Sequence, residues 1–197
     1  MSYTHVRMAL PAQSRKYIFI GVLVLLVGWT WITYNNLIVH KTVVDTAWAG
    51  VETQYQRRMD LVPNLVATVE GAADFEATTF TEVTQARANA AGASSRGERI
   101  EAYGAFDSAL SRLLVTVEAY PNLQATQGFR DLMAQLEGTE NRVSVARRDY
   151  NEAVQGYTIA VSRFPTLLVA RTFGFEKREF FKSTKEAEEA PTVDFSS

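Results

Sequence analysis

The chain contains no cysteine, so it can form neither a disulfide nor a thiolate metal site. Histidine is almost as scarce: His5 precedes the longest apolar run and His40 follows it. That inventory leaves no Ser-His or Cys-His arrangement in the rest of the chain, and no Glu-x-x-His pair of the kind a bundle di-iron site needs. No acidic residue precedes Asp45. No segment alternates apolar and polar residues with period two for any length, which argues against strands. No nucleotide-binding glycine loop is present. The formal charge of -2 lacks the basic excess of a nucleic-acid binder. These absences predict a protein that is not an enzyme, with no cofactor, no metal and no nucleic-acid partner.

What the chain does have begins with "YIFIGVLVLLVGWTWI" at residues 17–32, a run without charge. Ten of its residues are Leu, Ile, Val or Phe, each worth roughly -0.3 to -0.6 kcal/mol on insertion into a bilayer. Extended to Ile38, it spans about 31 Å as a helix, the thickness of a hydrocarbon core. Trp29, Trp31 and Tyr34 fall where an aromatic belt marks one membrane interface. A cleaved signal peptide fits less well, because the bulky, polar "TWITYNN" offers no small-x-small site. A buried core helix is seldom apolar all round with Arg15 and Lys16 directly before it. Arg7, Arg15 and Lys16 precede the span and only Lys41 follows closely, which places the N-terminus in the cytoplasm and the rest on the periplasmic side.

Beyond the span the apolar positions recur at helical spacing. Val44, Trp48, Val51, Tyr55, Met59, Val62, Val66 and Val69 form one face, with Gly71 as its C-cap. The stripe passes Pro63 without losing phase, so Pro63 reads as a kink, not a stop; Asp60 as N-cap of a new helix is the alternative. Residues 74–91 form a second helix with Asp74 as N-cap, and "GASSRGE" at 92–98 is a turn. Tyr103, Phe106, Leu110, Leu113, Val117 and Tyr120 make a third, stopped at Pro121. The fourth keeps step from Phe129 to Phe164 and ends at Pro165. The expected fold is all-α: an N-terminal transmembrane helix followed by an up-and-down antiparallel four-helix bundle with long helices. The expected division is a cytoplasmic segment 1–16, an anchor 17–38, a bundle 39–175 and a charged tail 176–197. The apolar piece "TLLVARTFGF" at 166–175 is not explained by a simple bundle. Through Leu167, Leu168, Phe173 and Phe175 it is expected to cap the bundle, lie on the membrane or contact a neighbouring subunit.

Charge interrupts these stripes in two places. Glu140 and Arg147 fall on core-facing positions of the fourth helix by spacing, and a lone buried charge costs several kcal/mol, so partners are expected. They are seven residues apart, too far for easy mutual pairing. Arg57, Arg58, Asp60 and Asn64 are the candidates across the bundle, facing "TENRVSVARRDYN" at 139–151, which also supplies Asn141 and Asn151. One arginine of such a layer could satisfy the carbonyl freed by Pro63. The layer either sets helix register only or binds a ligand.

The blocks "YNNL" at 34–37, "AWAGVETQYQRRMDLVPNLVATVEG" at 47–71, "EAYPNLQA" at 118–125, "TENRVSVARRDYNEAV" at 139–154, "RFP" at 163–165 and "FGF" at 173–175 carry a resemblance to the bacterial LemA family. The resemblance covers nearly everything from Tyr34 to Phe181. It implies one N-terminal span followed by a four-helix bundle, no established enzymatic activity, and relatives linked to membrane organisation, including magnetosome-membrane formation. The chain departs from the family at Phe75-Glu76, where His-Glu is frequent, at Tyr157-Thr158, where Tyr-Asn is, and at Glu52, where Asp is. The expectation is a single-pass protein of the bacterial inner membrane that self-associates and organises the envelope. Its partners would be the lipid bilayer, further copies of itself and envelope proteins. The alternative is a membrane-tethered adaptor or sensor that binds a partner protein or a ligand.

Overall fold

The computed structural model describes residues 12–70 and 77–181. Every regular element among them is helical: α1 (Ala12–Glu70), α2 (Ala77–Gly92), α3 (Arg96–Val117), the single turn α4 (Pro121–Gln124), α5 (Gln127–Ser162) and α6 (Thr166–Thr172). The expected caps Gly71 and Asp74, and the chain beyond Phe181, lie outside the described residues.

The apolar run and the first bundle helix are one helix, α1, which continues through Pro63. Proline removes the hydrogen bond to the carbonyl four residues earlier, that of Met59. The helix tolerates this because apolar residues on both sides of Pro63 are buried: Tyr55, Met59 and Val62 before it, Leu65 and Val69 after. Beyond the proline the stripe rotates slightly, so that Leu65 takes the core position and Val66 is half-buried.

The α2–α3 turn is closed by its own side chains. Ser95 Oγ accepts from the Glu98 amide at 3.2 Å, and Glu98 Oε2 accepts from the Ser95 and Ser94 amides at 3.1 and 2.9 Å. This reciprocal capping box satisfies amides that the first turn of a helix leaves without partners. The amides also hold the Glu98 carboxyl below the usual range.

Two compact units divide the chain, and they do not follow chain order. One joins α1 up to Thr42 with Gly156–Lys177; the other joins Val43–Gln155 with residues 178–181. In the second unit, side-chain pairs give the helix directions. Asp45, Glu52, Tyr55 and Arg58 of α1 meet Arg96, Arg99, Tyr103 and Asp107 of α3 in rising order, so these helices run parallel. Arg58 and Tyr55 meet Glu140 and Arg147 of α5 in the opposite order, so α5 runs antiparallel to α1. This is up-and-down order with a core of Trp48, Tyr55, Val83, Phe106, Leu110, Leu136, Val143 and Val154.

In the first unit, Thr33 and Leu37 of α1, Tyr157 and Val161 of α5, and Val169 and Ala170 of α6 are buried. α6 ends in a Schellman turn: Gly174 takes a positive φ of 71°, and the Phe175 amide donates to the Ala170 carbonyl at 2.9 Å. The rings of Phe173 and Phe175 meet Tyr34 edge-on, with centroids 5.0 and 5.6 Å away.

Candidate functional site

In the second unit, three helices bring charge to one level. Tyr55 and Arg58 stand one helical turn apart on α1, Asp107 faces them from α3, and α5 supplies Glu140 and Arg147. Asp107 is the hub. Its Oδ1 accepts from Arg58 Nη1 at 2.6 Å; its Oδ2 accepts from the Tyr55 hydroxyl at 2.8 Å and from Arg147 Nη2. The same Arg147 nitrogen donates to the Tyr55 hydroxyl oxygen. The same Arg58 Nη1 also reaches Glu140 Oε2 at 2.5 Å. Two guanidiniums therefore share two carboxylates.

Aromatic rings close the layer. Tyr55 stacks on Tyr103 with centroids 3.8 Å apart and planes within 5°. The Arg147 guanidinium lies 5.3 Å over the Tyr55 ring and 5.2 Å over that of Phe181. Phe181 stacks on Trp48, and the Arg96 guanidinium lies 5.0 Å from the centroid of the same Trp48 ring. The chain after α6 is thus pinned onto the bundle. Asn151 donates to the Phe181 carbonyl at 3.0 Å and accepts from its amide at 2.9 Å, while the Tyr150 hydroxyl donates to the Glu179 carbonyl at 2.9 Å. An asparagine side chain here imitates a strand partner, satisfying both backbone groups of one residue.

Burial sets the electrostatics. It pushes the Asp107 carboxyl up to about 7, with Glu140 adding to the rise while Arg58 opposes it. It also draws the Arg147 guanidinium down from its usual value. The Arg58 side chain is 6 % exposed, and the Nε groups of Arg58 and Arg147 are buried without a protein acceptor. The layer is charge-balanced yet imperfectly satisfied. Such an arrangement fixes register and partner choice more than it adds stability.

The expected layer is therefore partly assembled and partly corrected. Arg58, Glu140 and Arg147 meet in it. Glu140, however, is not core-facing: its side chain is 53 % exposed, and the neighbouring Thr139 takes the buried position, its hydroxyl bonded to the Leu136 carbonyl at 2.7 Å. A long carboxylate reaches Arg58 from the helix edge at less desolvation cost than from the interior. Arg57, Asp60, Asn64 and Asn141 are exposed, and Asp60 accepts from Gln56 on its own helix. Asn151 is half-buried and holds Phe181.

The carbonyl freed by Pro63 is satisfied by an arginine, but from a different helix. Arg87 Nε on α2 donates to the Met59 carbonyl at 2.9 Å. Neither Arg87 nor Asp107 was singled out by spacing. Asp107 carried a signal nonetheless: it stands four residues after Tyr103 and three before Leu110, inside the α3 stripe.

Arg57 and Asp60 instead line an open cleft of about 570 Å³ with Glu52, Gln56, Arg99 and Tyr103. In the first unit, Trp29, Trp31, Tyr34, Leu168 and Phe173 are exposed, and Leu167 and Phe175 are half-buried. Among the described residues, no three His, Asp or Glu side chains converge as a metal site would require.

A helix long and apolar enough to cross a membrane, continued into a helical bundle with an Arg-Asp-Arg-Glu layer, defines an all-α class of protein. More particularly, the LemA family model matches residues 47–195, and the chain belongs to that family. Among its relatives, Magnetosome protein MamQ 2 of Paramagnetospirillum magneticum is 24 % identical over 93 % of this chain and 76 % of its own length. Magnetosome protein MamQ of Magnetospirillum gryphiswaldense is 25 % identical over the same shares. Protein LemA of Metamycoplasma hominis is 20 % identical over 91 % of this chain and 84 % of its own.

Proposed function

We propose that this chain is a non-enzymatic, single-pass membrane protein that self-assembles and organises or shapes the bacterial envelope membrane. The observation that carries the reading is the apolar window of α1. None of it is buried within the protein, and the large apolar side chains from Tyr17 to Val27 are exposed. So large an uncovered apolar band demands lipid. α1 runs from this band to Glu70 as one helix.

Membrane organisation accords with relatives named as magnetosome proteins. Confinement to one plane raises the effective concentration of copies, so modest contacts suffice for assembly. Exposed Val115 and Val145 are available for them. The cation excess before the span supports an N-terminus on the cytoplasmic side of the inner membrane. The test is mass determination of the full chain in detergent by light scattering, with and without residues 1–38. A homo-oligomer is expected with the anchor; a monomer with the anchor intact overturns the reading. The 570 Å³ cleft lined by Arg57, Asp60 and Arg99 favours a second reading, a tethered module that binds a polar ligand or partner. One stoichiometric partner bound to a monomeric chain would replace the first reading with the second.

A further inference from the structure

We infer that the face made by Phe164, Leu168 and Phe173, flanked by Arg163 and Arg171, docks on the bilayer surface, and that anionic phospholipid headgroups are its ligand. The inference rests on the reading of α1 as a membrane anchor.

Three observations converge on it. The first is exposure: Phe164, Leu168 and Phe173 are 76, 56 and 53 % exposed, three large apolar side chains on and around a helix of two turns. The Schellman turn at Gly174 divides the two aromatic residues, leaving Phe173 outward and Phe175 half-buried. The second is position. Within one compact unit, Phe173 and Phe175 lie against Tyr34, and Tyr34 belongs with Trp29 and Trp31 to the aromatic residues at the end of the apolar band. Aromatic residues mark the headgroup level of a membrane. Phe173, in ring contact with Tyr34, therefore sits at that level, and exposed Leu168 and Phe164 precede it on the same short segment.

The third is charge. The stretches Met1–Thr42 and Gly156–Lys177 hold seven of the chain's 20 Lys and Arg but only one of its 22 acids, Glu176. The rest of the chain, with 13 cations and 21 acids, is strongly acidic. Arg163 and Arg171 are exposed beside the apolar patch, and Lys41 and Lys177 belong to the same unit. Phenylalanine and leucine flanked by arginine is the composition of an element that lies in the interfacial plane and prefers anionic lipid. With the anchor already inserted, docking of α6 is intramolecular, so a patch this small is sufficient.

The test uses the full-length chain, whose lack of cysteine allows single labels. Leu168→Cys and, separately, Leu23→Cys carry an environment-sensitive fluorophore in vesicles of phosphatidylcholine with or without phosphatidylglycerol. Aqueous iodide and a lipid-borne nitroxide serve as quenchers. At position 168 the expected result is quenching by the nitroxide and protection from iodide in phosphatidylglycerol vesicles. Arg163→Ala with Arg171→Ala is expected to lower the docked-to-undocked ratio about 30-fold, from roughly 1 kcal/mol per cation near an anionic surface. Iodide access at 168 together with nitroxide quenching at 23 overturns the inference and leaves the anchor standing. Iodide access at both positions overturns the anchor reading itself. Protection at 168 that vanishes on dilution to one chain per vesicle assigns the patch to a second copy and also overturns the inference.

Discussion

Asp107 carries the most consequential chemistry of any single residue here. A carboxylate between two guanidiniums would ordinarily be held ionised, yet burial raises its carboxyl to about 7. Between the ordinary carboxylate range and about 7, the folded chain therefore holds a proton that the unfolded chain has released. The stability this contributes is fully present below the unfolded value and is lost as pH rises through the folded one. Asp107→Asn, a neutral isostere, removes that dependence. The melting temperature of the parent is expected to fall relative to Asp107→Asn between about pH 4 and about pH 8. A parent that gains on the variant over the same range would mean that the arginines win over burial. Of the layer, Arg58, Glu140 and Arg147 were legible as charges interrupting apolar stripes. Asp107 was not, because one acid beside Phe106 looks like a solvated residue until two arginines arrive from other helices.

At the scale of elements, α1 survives Pro63 because a side chain from α2 replaces the missing donor. Arg87 Nε and the Met59 carbonyl are 2.9 Å apart, and Met59 is buried, so loss of the donor leaves a carbonyl without a partner. Arg87→Ala is expected to cost about 1–3 kcal/mol in urea unfolding of the full chain in detergent. In a Pro63→Ala background the helix regains its own donor, and the same change should cost little. Equal costs in both backgrounds would separate Arg87 from the proline. The continuity of α1 was legible in the unbroken stripe around Pro63, since a helix that stopped there would have no reason to keep register. The identity of the compensating residue was not, because its partner lies 28 positions away.

For the whole molecule, the C-terminal part of the chain returns to residues far from it in sequence. Phe181 packs on Trp48 and Tyr150, and α6 returns to Tyr34. A nearly buried phenylalanine held by rings and by Asn151 contributes through packing. Phe181→Ala is expected to lower stability by about 3–5 kcal/mol, read as a fall in the urea midpoint at unchanged slope. A loss below about 1 kcal/mol would reduce the returning segment to surface decoration. The segment looked like a charged tail because its neighbours in sequence are Lys, Arg and Glu, and the adjacent pair Phe180-Phe181 among charges has no periodicity to betray it.

Local order was therefore decided by the sequence alone. Helices follow from apolar residues at steps of three and four, and a helix apolar enough to cross a membrane from 16 residues without charge. Both signals are complete within a few turns of chain. Tertiary structure decided which charge meets which, that Thr139 and not Glu140 occupies the core, and that residues 163–177 share a unit with the apolar part of α1. Those outcomes depend on desolvation and on contacts between distant helices, and no local pattern encodes either.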